Sequence, residues 1–324
     1  MPQATELLPT FSIVVEWENA RWADLERTRR MLAALRPQLV ELRPRFAEPP
    51  AIIFVYDRLR IDPQVIERCL NDSFTAIDGL CTLRLLPVED MGYYQLKNAG
   101  AAAAAGEIVI LLDCDVIPEP GWLEAMLAPF LDAKVEVVTG QTYVGPDTLY
   151  AKSAALFWVF PLRRGESGLV KVKHAFANNA AFRRALFLRH PYPDAEMHRG
   201  NCRLLSRELF AKGVDIHQQL AARVDHPPPA GLGQFFVRGI WRGHDDLLLA
   251  DRLQRQSFSE IIGAATKRLC ETHRRIVTQH RAVNLDAAGA AIAYVLGIAY
   301  NLLAAGGAVM ARAAPRILHR WVPK

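Results

Sequence analysis

The 324-residue chain lacks paired cysteines: its five (Cys69, Cys81, Cys114, Cys202 and Cys270) are odd in number, widely spaced and without a C-x-x-C. That excludes a disulfide framework and a cysteine-built zinc site, and it reads as reduced thiols. The first residues, MPQATELLPT, lack a basic stretch followed by an apolar one, so no secretory leader is expected and the folded part is expected in the cytoplasm. Excess charge is scarce. The net charge of +5 and pI near 9.0 are too weak to point to nucleic acid, though they suit anionic ligands or a membrane surface. There is no internal repeat, and no low-complexity tract beyond the alanine run at 101–105.

A hydrophobic content of 51% is present and supports a sizeable core. Length allows one large α/β domain with additions, or two modest domains. Apolar runs at Phe11–Val15 and Ala51–Tyr56 read as buried strands, with further strands at Thr82–Leu86, Glu107–Leu112 and Val135–Thr139. Between them, helical spacing marks Arg21–Val40, Pro63–Leu70, Tyr94–Ala105 and Trp122–Leu131. Val170–Phe182 reads as one strand, Asn201–Gly213 as a helix with a glycine C-cap, and Val224–Pro229 as a loop. Strand and helix in alternation predict a mostly parallel sheet covered on both faces. Ligands of such sheets bind beyond the carboxyl ends of the strands, where Glu16, Asn19, Asp57, Asp113 and Asp115 fall.

The stretch GEIVILLDCDVIPEPGW ends a strand in two acids, Asp113 and Asp115. On an extended chain they project to the same side. Two carboxylates so placed suit Mg²⁺ or Mn²⁺, whose remaining positions go to water and phosphate oxygens. They also suit a solvated turn capping the helix that begins near Pro120.

The longer string KNAGAAAAAGEIVILLDCDVIPEPGWLEAML resembles the family 2 glycosyltransferases of GT-A fold: Lys97, Asn98, Gly100, Gly106, Asp113, Asp115, Pro120 and Trp122 fall in register. The likeness continues more loosely from about residue 11 to residue 245, through FSIVVEWEN, NNAAFRR and AKGVDIHQQLAARVDHPPP. The resemblance implies a GT-A-like (Rossmann-like) domain over residues 1–245 and a helical, apolar extension over 246–324. It implies a nucleoside-diphosphate sugar as donor and a glycan or lipid-linked hydroxyl as acceptor. It implies Mg²⁺ or Mn²⁺ held by Asp113, Asp115 and His226. Asp57, Lys97, Asn98, Asp113, Asn179 and Arg238 then match positions that bind the nucleotide sugar. Nucleotidyl transfer is disfavoured, because EWENARW after the first strand is not a Gly-rich, basic triphosphate loop.

Departures from the pattern shape the remaining expectations. Asn201 and Cys202 stand where the family carries Glu-Asp, and an amide cannot accept the proton of an acceptor hydroxyl. The candidate bases are therefore Asp194 and Glu196 in the preceding loop, with His198 third. An alternative is a chain that binds nucleotide sugar without turnover, as a partner of another transferase. Glu16 and Glu18 replace the usual Pro and Tyr, and as anions they would repel a diphosphate. Arg238-x-x-Trp241-Arg242 resembles an Arg/Trp element near the diphosphate, with Gln234 one residue out of place. Ala287–Ala311 carries no charge and is long enough to cross a bilayer of ~30 Å. It is rich in Ala and Gly with basic residues on both sides, so a helix lying on the membrane, a span and a buried helix all remain open. The expected location is the inner face of the cell membrane.

Overall fold

The computed structural model describes residues 6–19, 25–74, 79–195, 197–253, 258–314 and 318. It divides into two compact units. Unit 1 takes Met1–Thr142, Arg164–Asp194 and Asn201–His226; unit 2 takes Tyr143–Arg163, Ala195–Gly200 and Pro227–Lys324. The division read from the sequence fell after residue 245. In the structure the second unit's long segment starts at Pro227, and two earlier segments join it.

Unit 1 opens with β1 (Phe11–Glu16), α1 (Leu25–Leu42), β2 (Ala51–Asp57), α2 (Pro63–Ser73), β3 (Thr82–Val88), α3 (Tyr93–Ala103) and β4 (Ile108–Asp113). These strands pair in parallel in the order β3-β2-β1-β4. Because β2 and β4 flank β1 on opposite sides, the chain reverses direction of travel between β1 and β4. Ligand crevices of α/β sheets open at such a point. There Glu16 and Asp113 are direct register partners.

Then come β5 (Ile117–Pro118), α4 (Trp122–Leu127) and β6 (Val137–Tyr143), and, past the unit 2 helix α5 (Leu149–Phe157), β7 (Leu169–Val172), β8 (Asn179–Arg183), α6 (Arg184–Arg189), α7 (Asn201–Ala211) and β9 (Ile216–Asp225). The sheet continues β4-β8-β6-β9-β5, with β7 also on β9; the β4–β8, β8–β6, β9–β5 and β9–β7 pairings are antiparallel. Two expectations change here. The strand expected over Val170–Phe182 is two strands, because residues 173–178 leave the sheet, and the supposed loop from Val224 begins inside β9.

Alternation along the buried strands feeds two cores. Ile13, Val15, Ile52, Phe54, Ile110 and Leu112 pack with α1, α2 and α4 on one face. Val14, Ile53, Val55, Val109 and Leu111 pack with α3, α6 and α7 on the other. Helix α3 lies close on the sheet through Gly100, where a Cβ would come within 2.3 Å of Val14 Cγ1. That approach brings the side chains of α3 against the end of β4. Unit 2 adds α8 (Gly231–Leu253), α9 (Phe258–Gln279) and α10 (Ala287–Ala313) to α5.

Candidate active site

Asp113 is the last residue of β4 and is almost wholly buried. Three side chains hold its carboxylate. Lys97 Nζ donates to Oδ1 at 2.7 Å, the Tyr93 hydroxyl donates at 2.7 Å to Oδ1, and Asn19 Nδ2 donates to Oδ2 at 3.0 Å. Burial alone would raise this carboxyl; the charge and hydrogen bond of Lys97, with His226 and the Tyr93 hydroxyl, outweigh it and hold Asp113 below the usual range. Lys97 itself has no exposed surface, so it is an internal counter-charge, while the resemblance implied a residue lining the nucleotide pocket.

Cys114 turns the opposite way into the core beneath α1 and α4, and burial pushes its thiol up. Asp115 thus returns to the side of Asp113. Its Oδ1 is buried and has no hydrogen-bond partner. An orphaned carboxylate oxygen is costly unless a cation or donor meets it. One ligand atom each from Asp113, Asp115 and His226 lies within 4.8 Å of the others, the one such group among the described residues. Two carboxylates and an imidazole form a hard-to-borderline donor set, which fits Mg²⁺ or Mn²⁺.

Arg27 of α1 ties this group together, and the sequence offered no sign of it. Its Nε donates to the Asp115 carbonyl at 2.6 Å, and its Nη2 donates to the Asp225 carbonyl at 2.8 Å and to Asp225 Oδ2 at 3.0 Å. One guanidinium therefore fixes both the loop of Asp115 and the strand end next to His226.

Glu16 closes the β1 side. Its Oε1 accepts from Asn19 Nδ2 at 2.9 Å, and Oε2 accepts from the Glu18 amide at 2.8 Å. Burial, then the neighbouring Asp113, raise its carboxyl well above the ordinary range. The upward shift lessens the repulsion expected from an acid at this position. At the end of β2, Asp57 Oδ1 accepts from the Leu59 amide at 2.9 Å. Arg60 Nε lies 3.1 Å from Oδ2 as an ion pair, without the geometry of a directed hydrogen bond, so Oδ2 still lacks a donor.

Residues 45–190 match the family model described as glycosyl transferase family 2. Over that stretch, a little under half of its length, the chain is similar to the family 2 glycosyltransferases. Its fold is also that of solved transferases. The mannosyltransferase PcManGT from Pyrobaculum calidifontis, in complex with GDP-Man and Mn²⁺, aligns with a TM-score of 0.57 and 16% identity over 95% of this chain and 89% of that one. GalNAc-T7 with UDP, GalNAc and Mn²⁺ aligns at 0.50 and 16% over 81% of this chain, which spans about half (54%) of that protein. At such identities the likeness is one of fold. No curated protein matches the chain.

Several positions that match the family pattern serve the scaffold. Asn179, placed in the donor-binding set by the resemblance, is fully buried; its Oδ1 accepts from Trp122 Nε1 at 2.9 Å and its Nδ2 donates to the Ala222 carbonyl at 3.1 Å. Both halves of its amide are spent joining α4 to β9. Asn98, placed in the donor-binding set by the resemblance, is part-buried and clasps the backbone of Tyr192, with Nδ2 donating at 2.8 Å and Oδ1 accepting at 3.0 Å. It steadies the loop that leads to Asp194. Asp194 is exposed and accepts from Gln95 Nε2 at 2.8 Å. Glu196 lies outside the described residues. His198 and Arg238 belong to unit 2, where the His198 ring stacks on Trp241 at 4.2 Å and Arg238 Nε donates to Gln234 Oε1 at 3.2 Å.

On the acceptor side, Asn201 and Cys202 begin α7. The Cys202 thiol receives the Tyr94 hydroxyl at 3.4 Å and lies 4.0 Å from His174 Nε2, while Ser206 Oγ is 3.3 Å from His174 Nδ1. Burial raises the Cys202 thiol. Burial, then the Arg203 charge, lower the His174 imidazole to about 4. This group therefore offers a raised thiol and a weakly basic imidazole where the family pattern carries two carboxylates.

Proposed function

We propose that this chain is a metal-dependent transferase that moves a sugar from a nucleoside-diphosphate sugar to a hydroxyl of a glycan or lipid-linked acceptor. The observation that carries the reading is the Asp113–Asp115–His226 group, with its orphaned Asp115 oxygen, at the β1/β4 switch point. Mg²⁺ or Mn²⁺ bound by these residues would supply charge neutralisation of the donor diphosphate as it leaves. Lys97, Tyr93 and Asn19 hold Asp113 ionised and oriented for that task. Asp57 Oδ2 is the acceptor offered to an N–H of the nucleobase. Asp194, reached through Gln95, is the candidate to take the proton of the acceptor hydroxyl, with Glu196 beside it in sequence.

The test is a panel of nucleoside-diphosphate sugars with Mn²⁺ or Mg²⁺, assayed for transfer and for donor hydrolysis. The proposal expects one donor to turn over and Asp115→Ala to abolish it. Neither transfer nor hydrolysis with any donor, and no difference between wild type and Asp115→Ala, would defeat it.

The neutral Asn201–Cys202 pair favours one second reading, a nucleotide-sugar-binding partner that has lost turnover. Activity gained by Cys202→Asp over an inactive parent supports that reading, and robust parental turnover excludes it.

A further inference from the structure

Helix α10 is the one described helix long and apolar enough to cross a membrane. Its packing argues against a span. One face, made of Gly289, Ala293, Gly297, Tyr300, Asn301, Ala304, Gly307 and Ala308, is buried along the helix. At Gly243 of α8 a Cβ would come within 1.7 Å of the Ala304 carbonyl oxygen, so the two backbones touch. Asn301 Nδ2 also donates to Thr272 Oγ1 of α9 at 3.0 Å. A helix bound this way to α8 and α9 is part of a folded unit and is not free to thread a bilayer alone.

The opposite face is bare and apolar. Ile292, Val295, Ile298, Leu302 and Val309 follow at helical spacing, with Val295 69% and Leu302 65% exposed. On α9, the exposed Ile262, Leu269 and Val277 run in line with His273. The His273 ring lies 5.6 Å from the Tyr294 ring of α10, which makes the two stripes one continuous surface. Contiguous exposed apolar surface of this kind marks an interaction site.

Charge identifies the occupant. From Phe258 to Lys324 there are nine Lys or Arg and three Asp or Glu, a net of +6, against +5 for the whole chain. The rest of the protein is therefore slightly acidic, and the basic excess is confined to the segment bearing the apolar stripes. A segment that is both apolar-striped and basic in sequence suits an anionic bilayer, which meets both features, better than a second copy with the same excess charge. We infer that the α9–α10 face of unit 2 docks on an anionic lipid bilayer, with α10 lying along the surface. The inference does not depend on the transferase chemistry.

The test uses the full chain and phosphatidylcholine vesicles with or without phosphatidylglycerol. Co-sedimentation is expected to favour the anionic vesicles by about ten-fold or more and to weaken at high salt. A Val295→Asp/Leu302→Asp double variant, altered only at exposed positions, is expected to lose that binding by about ten-fold or more while its thermal unfolding is unchanged. Cys270 on α9 is the exposed one of the five cysteines, so a fluorophore placed there reports insertion by a blue shift with anionic vesicles. No wild-type binding to anionic vesicles, or equal binding by the double variant, overturns the inference. So does a wild-type dimer that the double variant dissociates, which would give the face to a second copy.

Discussion

Tyr93 and Tyr94 are neighbours on α3, their rings edge to face at 4.8 Å, yet their hydroxyls serve clusters of opposite character. Tyr93 donates to Asp113, in a cluster where buried acids are kept and met by Lys97 and by Arg27 on the adjoining backbone. Tyr94 donates to Cys202, in a cluster where burial has left only a thiol and a neutral imidazole. Buried charge costs several kcal/mol per ion before pairing, so a fold keeps it where it has a use. The first cluster retains charge together with an open carboxylate oxygen, as a donor and cation site requires. The second holds no carboxylate, so in the proposed reaction the proton of the acceptor hydroxyl falls to Asp194 outside it.

The largest effect that would sharpen this contrast is Lys97→Met, which strands the Asp113 carboxylate. It should cost about 3–5 kcal/mol in denaturant unfolding, and adding Asp113→Asn should recover part of the loss. A loss below that of Cys202→Ala would break the comparison.

Next is His174. Unfolded, the imidazole takes its proton near 6.5; folded, it does so only at about 4. Between those values the unfolded state binds more protons, so stability falls as pH drops from about 6.5 towards 4, by at most about 3 kcal/mol. His174→Gln should flatten that part of the stability profile, measured by chemical unfolding across the window.

Arg27→Met should weaken Mn²⁺ binding by about 10- to 100-fold, the usual range for a group that holds ligands in place. Calorimetric titration reads this without any turnover. Smallest is Cys202→Ala, expected to cost about 1 kcal/mol through the lost contact to Tyr94 and to leave Mn²⁺ affinity unchanged.

The inner parallel strands β1, β2 and β4 were legible because they are buried on both faces and read as aliphatic runs, two of them ending in Asp57 and Asp113. The D-C-D triplet was legible as a same-side pair with an inward cysteine. Arg27 was not, since its partners lie 88 and 198 residues away and its helix shows only ordinary alternation of charge. Asn98 and Asn179 fitted the family pattern, but their bonds to the Tyr192 backbone, to Trp122 and to the Ala222 carbonyl were not legible, since those partners lie far away in sequence. The split of Val170–Phe182 was hidden because apolar and small residues continue through the loop that carries His174.

The most direct test of the central claim is thermal unfolding of wild type and Asp115→Ala with UDP or GDP, each with and without Mn²⁺. One nucleotide with Mn²⁺, at 100 times its dissociation constant, is expected to stabilise the wild type by about 2.7 kcal/mol, and Mn²⁺ omission or Asp115→Ala is expected to remove the gain. Equal stabilisation in all three conditions, or none with either nucleotide, would contradict it.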